Sequence, residues 1–287
     1  MLNNGTIIHA GLPKCATSTI QRLFLLNNYK LSRVLSCKYI GKSFKAFNGY
    51  PPVSEILYDL DTCIQDVKCH FPGKGLSFLS SEALTSEGGE AILNAVQQRT
   101  KILKVVFTVR YPPLQALSNF AYSGWLFPSR SPFFNSESKN LFVSSSKRHR
   151  RLFYKHADNY NVTIVPVEPR HQSLIHRFTR DAFPQQNYEE ALEILGCDDY
   201  SKPSRLNRSM PLGLAMALSA EITKRNINIE PRNAKSILKS KALKELAALS
   251  DCATQVQLPY PIPPEMADAI LKCKEHYATT LRTFSVS

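Results

Sequence analysis

Long apolar runs are missing from this sequence. No stretch of about 20 consecutive apolar residues occurs, so no membrane-spanning helix is expected. The first residues also lack the basic and then apolar segments of a secretory signal, and the expected address is the cytoplasm. Cysteine pairs are missing too: the seven cysteines, at 15, 37, 63, 69, 197, 252 and 273, show neither CxxC nor Cys/His spacing. That argues against a zinc site or a disulfide framework, and leaves them as reduced, buried apolar residues. There is no internal repeat and no low-complexity segment. Acidic residues are few beside basic ones, 23 Asp+Glu against 36 Lys+Arg, for a net charge of +13. Such a balance suits an anionic partner, whether nucleic acid, a phosphorylated nucleotide, an acidic glycan or a membrane surface. Charge alone does not choose among them.

What the chain does have is material for a core, 43% hydrophobic residues over 287 positions. β-Branched and apolar runs predict strands at 6–10, 76–80, 102–109 and 162–167. Helical patterns lie between them at 17–28, 53–69, 88–99 and 112–122, the alternation of a parallel sheet with crossover helices. After about residue 170 the strand signals stop and helices are expected at 188–195, 211–225, 232–249 and 264–283. The fold class is therefore α/β, a central, mainly parallel sheet flanked by helices with a helical C-terminal portion. Residues 123–146 are aromatic, Ser-rich and aperiodic, and read as a long loop facing a substrate, or as disorder.

The first strand runs into "GLPKCATSTIQ" at residues 11–21. A strand that turns tightly into a helix presents backbone N–H groups and the positive end of the helix dipole to one point, where an anion belongs. Lys14 adds a charge, and Thr17, Ser18 and Thr19 add hydroxyl donors. The order departs from G-x-x-x-x-G-K-[ST], because the lysine precedes the hydroxyl cluster and no second glycine precedes the lysine. A second segment, "VRYPPLQALSNF", places Arg110 at the end of the third predicted strand and Ser118 eight residues later on a helix. An arginine so placed, near a helical serine, is suited to gripping a second phosphate.

Together these segments resemble the sulfotransferases that use 3′-phosphoadenosine 5′-phosphosulfate (PAPS), and in particular the bacterial, glycan-modifying type. The resemblance implies one sulfotransferase domain over 1–287, with a P-loop-like nucleotide-binding core at 5–170 and a mostly helical portion at 171–287. It implies a loop for the 5′-phosphosulfate made of Gly11, Pro13, Lys14, Cys15, Ala16, Thr17, Ser18 and Thr19. Lys14 would hold the bridging oxygen, and Cys15-Ala16 stands where the family commonly has Thr-Gly or Ser-Gly. Arg110 and Ser118 would hold the 3′-phosphate, with Arg208 and Ser209 of "SRLNRSMPLG" as further contacts beside Arg205 and Asn207. PAPS would be the co-substrate, with 3′,5′-adenosine bisphosphate as product, and no metal is required.

An acceptor hydroxyl or amine needs a general base, and "LSSEALT" supplies Glu82 at a strand end. His9, two residues before Gly11, is the second candidate or else a packed histidine on a buried strand, and Glu168 after the last strand is read as structural. The acceptor implied is a polysaccharide or other glycan, with neither nucleic acid nor a membrane span expected. The basic run Lys147, Arg148, Arg150, Arg151 and Lys155 could steer an anion or simply face solvent. Trp125, Phe127, Phe133 and Phe134 could stack on a sugar or anchor the loop. Two other readings stay open at this point: a P-loop nucleotide kinase, which would need magnesium and the Gly-Lys-Ser/Thr order, and a non-enzymatic polyanion-binding protein.

Overall fold

The computed structural model describes residues 4–12, 15–40, 75–85, 89–122, 124–127, 151–167, 171–196, 212–230, 233, 236–237 and 264–284. They form an α/β protein around a five-stranded sheet, all of its pairings parallel, with helices on the sheet and a helical C-terminal portion, the class that the sequence predicts. The strands are β1 (Gly5–Gly11), β2 (Cys37–Ile40), β3 (Leu76–Ser80), β4 (Ile102–Val109) and β5 (Val162–Pro166). Their order is β2-β3-β1-β4-β5. β1 is central, between β3 and β4, and all five C-terminal ends open on the same edge. The chain goes from β1 to one side, to β2 and β3, and then crosses to β4 and β5 on the other, and the C-terminal edge at such a reversal is where open parallel sheets bind ligands.

Two compact units account for the described residues. The first draws on Met1–Arg110, Arg150–Leu206 and Thr280–Ser287, and the second on Tyr111–His149 and Asn207–Thr279. In the first unit α1 (Thr17–Leu26) buries Thr17, Ile20, Gln21, Leu23 and Phe24, a stripe at helical spacing that faces the sheet. Asn27 interrupts the helix predicted to run on to 28, its amide side chain donating to the Leu23 carbonyl at 3.1 Å. A separate helix, α2 (Asn28–Leu35), follows and leads into β2, a strand that the sequence did not announce. Phe24 stacks on Phe78 at 3.6 Å between ring centroids, and Phe178 and Phe183 close the cluster. Phe178 comes from His171–Ala182, a helix also missed in sequence, although Leu174, Ile175, Phe178 and Ala182 bury themselves at helical spacing.

On the sheet's opposite face Phe107 packs on Phe153 and His156 of a helical segment at 151–157. In the second unit Pro112–Tyr122 and Leu212–Lys224 pack with a short 3-10 turn, Gly124–Leu126. Their core gathers Phe120, Ala121, Trp125, Leu126, Ala215, Met216 and Ile222. The last helix, Pro264–Phe284, matches its predicted span within a residue or so. Among the described residues, no helix is long and apolar enough to cross a membrane. The helices expected at 53–69 and over most of 232–249 lie outside the described residues, as does most of 123–146.

Candidate functional site

The turn after β1 is built by packing rather than by glycine freedom. Gly11 ends the strand paired with Thr108 of β4, and a Cβ there would fall 1.8 Å from Thr17 Oγ1 and 3.0 Å from Thr108 Oγ1. Only a residue without a side chain lets the first turn of α1 come so close to the sheet. The Cys15 N–H then donates to the Leu12 carbonyl at 3.0 Å, and Ala16 turns the chain in the left-handed region at φ 61° and ψ 17°. The Ala16 carbonyl accepts from the N–H groups of Thr19 and Ile20, which starts the helix.

This helix N-terminus carries no side-chain cap and no acidic residue in its first turn. Its positive end is therefore not neutralised from within α1. Thr17 is 1% exposed, and its Oγ1 is buried without a hydrogen-bond partner among the described residues. A buried hydroxyl left so costs about 1–3 kcal/mol, and it sits at the point where the turn would meet a ligand.

Three other sequence candidates gather beside this turn. Cys15 is fully buried, and burial pushes its thiol up to about 12. The Arg110 charge and the Arg110 backbone N–H, which donates to the sulfur, pull it partly back, while the Glu82 charge pushes it further up. Cys15, Arg110 and Glu82 are thus neighbours, drawn from the ends of β1, β4 and β3. As a protonated thiol, Cys15 is a packing residue rather than a nucleophile. Glu82 opens a 3-10 turn, Glu82–Thr85, half-buried, just past Ser81, whose N–H donates to the His9 carbonyl at 3.1 Å.

His9 lies below them, fully buried. Its Nδ1 is 2.7 Å from Ser80 Oγ and its Nε2 is 3.0 Å from Thr108 Oγ1, with the Phe78 and Phe178 rings against it. Burial brings its pKa down to about 3, so the ring is neutral in ordinary buffers. A general base must exchange its proton with a substrate group. An imidazole with no exposed surface and both nitrogens engaged does not reach one, and the catalytic part expected of His9 is not carried forward.

Pro13, Lys14, Glu168, Arg205, Asn207, Arg208 and Ser209 lie outside the described residues, as do Lys147, Arg148, Arg150, Phe133 and Phe134. Ser118 is half-buried on Pro112–Tyr122 and belongs to the second unit, whereas Arg110 closes the first segment of the other. Lys155 is tied to Glu90, and Arg151 is exposed, so this part of the basic run is surface. Trp125 is 3% exposed in the second unit's core and anchors the chain there instead of offering a face to a sugar.

Thr108 and Gln21 were missed in sequence. The Gln21 amide donates to the Ser80 carbonyl at 3.2 Å, so both residues tie the strand ends together. The readable signal was a lone hydroxyl near the end of the apolar run "ILKVVFTV" and a lone amide on the apolar stripe of α1. A cavity of about 300 Å³ lies at the opposite end of β4, lined by Ile7, Lys101, Leu103, Lys104, Ala182 and Pro184. Its Lys104 ammonium already donates to the Asp181 carbonyl at 2.7 Å, and none of the described candidates lines it. The sequence matches no known family model and no curated protein.

Proposed function

We propose that this protein transfers a sulfuryl group from PAPS to an acceptor hydroxyl or amine, with a glycan as the acceptor class. The observation that carries the reading is the tight β1–α1 turn: Gly11 has no room for a Cβ, and Thr17 keeps a buried hydroxyl without a partner among the described residues, beside an uncapped helix N-terminus. These features fit a phosphate-type group, which takes backbone N–H donors, a hydroxyl and the helix dipole together. Arg110 and Glu82 flank the turn through Cys15. When bound, PAPS supplies an activated sulfuryl group on a phosphate leaving group.

The chain's own part is then positioning and charge. The first turn of α1, with Thr17, Ser18 and Thr19, would hold the 5′-phosphate end, joined by Lys14, and would stabilise the negative charge that grows on the departing phosphate. Arg110 would hold the 3′-phosphate. Glu82, half-buried at the end of β3, would take the proton from the acceptor as its oxygen or nitrogen attacks sulfur.

The test is calorimetric titration of 3′,5′-adenosine bisphosphate, ATP and 5′-AMP without magnesium, on the wild type and on Arg110→Ala. The 3′,5′-bisphosphate should bind in preference to 5′-AMP, and Arg110→Ala should weaken it about tenfold to a hundredfold. Equal binding of all three, falling steeply with salt, would replace this reading with polyanion binding. Binding of ATP that needs magnesium would replace it with a kinase.

A further inference from the structure

The buried histidine spans more of the sheet than any other described polar side chain near the turn. His9 sits on the central strand, Ser80 ends the strand on one side, and Thr108 lies near the end of the strand on the other. Both contacts are within hydrogen-bond distance, at 2.7 and 3.0 Å. A neutral imidazole has one N–H and one bare nitrogen, so it donates to one hydroxyl and accepts from the other. The three strand ends are thereby laced, from Ser80 at the level of His9 to Thr108 at the level of Gly11. Thr108 Oγ1 and Thr17 Oγ1 both crowd the point above Gly11 where a Cβ would stand, so the lacing fixes the floor on which the turn rests.

Packing supplies a second argument. The imidazole is enclosed by Phe78 and Phe178, an environment in which phenylalanine or leucine would be the cheaper choice. A polar ring is retained there with both nitrogens used, and its partner Thr108 shares the point where a Gly11 Cβ would stand with Thr17, whose buried Oγ1 has no hydrogen-bond partner among the described residues. A group that only filled the core would need neither.

We propose that His9 is a positioning residue for the anion-binding turn: by bridging Ser80 and Thr108 it holds the ends of β3 and β4 against β1, and so holds Gly11 and Thr17 at the spacing that offers the buried Thr17 hydroxyl to a phosphate-type anion. This rests on the reading of the turn as an anion cradle, and it assigns His9 no proton transfer.

The experiment measures affinity for inorganic pyrophosphate, 5′-ADP and 3′,5′-adenosine bisphosphate in the wild type, His9→Phe, His9→Gln and Thr108→Val, with urea unfolding of each variant alongside. His9→Phe fills the space without the bridge, Thr108→Val breaks the bridge at its far end, and His9→Gln restores one donor and one acceptor. Pyrophosphate affinity should fall about tenfold in His9→Phe and in Thr108→Val and stay within about threefold of wild type in His9→Gln, whatever the order of their stabilities. The His9 ring ¹⁵N resonances of the wild type should report one neutral tautomer and shift when pyrophosphate is added.

Wild-type affinity in a folded His9→Phe or Thr108→Val protein overturns the inference, and so do ring resonances indifferent to pyrophosphate. If 3′,5′-adenosine bisphosphate is preferred over 5′-ADP and both bridge-breaking variants bind it as wild type does, His9 has no positioning part and the proposed function stands. If pyrophosphate binding depends on His9 but the 3′-phosphate earns no preference, the inference stands and the donor assignment falls.

Discussion

The two halves of β1 are buried alike and held differently. Ile7 and Ile8, in the first half, are fully buried among hydrocarbon, Ile7 within the cluster that includes Phe24, Phe78 and Phe178. His9 and Gly11, in the second half, are buried against Ser80, Thr108 and Thr17. Burial therefore does not tell the two halves apart, and their polar groups do. In the first half folding gains from area removed from water. In the second it tolerates a neutralised imidazole, a hydroxyl with no partner among the described residues and a left-handed alanine, each at some cost in folding free energy.

The largest expected effect breaks the apolar half. Phe24→Ala removes a ring that is 1% exposed and stacked on Phe78, and should cost about 4 kcal/mol in urea unfolding. The protein that remains folded should bind pyrophosphate as wild type does; a parallel loss of affinity would mean that the two halves are not separable. Next is Gly11→Ala, whose new methyl meets Thr17 Oγ1 at 1.8 Å, the β-branched side chain of a packed helix start. It should cost about 2–3 kcal/mol and abolish pyrophosphate binding, whereas binding retained would show that α1 shifts without consequence for the turn.

His9 makes a pH test whose effect is spread over several pH units. Its pKa is about 3 in the folded protein against 6.5 when unfolded, so between those values the unfolded chain carries the extra proton. Stability from the neutral ring is present above pH 6.5 and is lost as pH falls toward 3. Wild type should lose on the order of 1 kcal/mol per pH unit in that window relative to His9→Gln. Identical pH profiles would mean that the buried ring is not what titrates. The smallest effect is a gain: Ala16→Gly relieves the left-handed φ of 61° and should raise stability by about 0.5–1 kcal/mol. Unchanged or lower stability would show that the alanine is not strained there.

Much of the fold was legible because the central strands are apolar, β-branched runs, and period carries that information locally. β2 was not, since Cys37–Ile40 is only four residues long and its place at the sheet edge comes from pairing with β3. The helix at His171–Ala182 was legible in principle, its apolar positions standing at helical spacing. At the site, the sequence singled out Gly11, Thr17, Glu82 and Arg110 as residues at strand ends or helix starts. It did not tell that His9 bridges Ser80 and Thr108, because those partners are 71 and 99 residues away in the chain.

By itself, then, the sequence determined the α/β class, the strand that leads through a turn into a helix, and the excess of positive charge, all properties of composition and of neighbours within a few residues. Only the tertiary structure decided that β1 is central, that Gly11 admits no side chain, that His9 is neutral and enclosed, and that Trp125 is core rather than surface. The physical reason is common to all four. Desolvation, steric contact and cross-strand hydrogen bonding depend on which distant segments are brought together, and no local period in the chain encodes that.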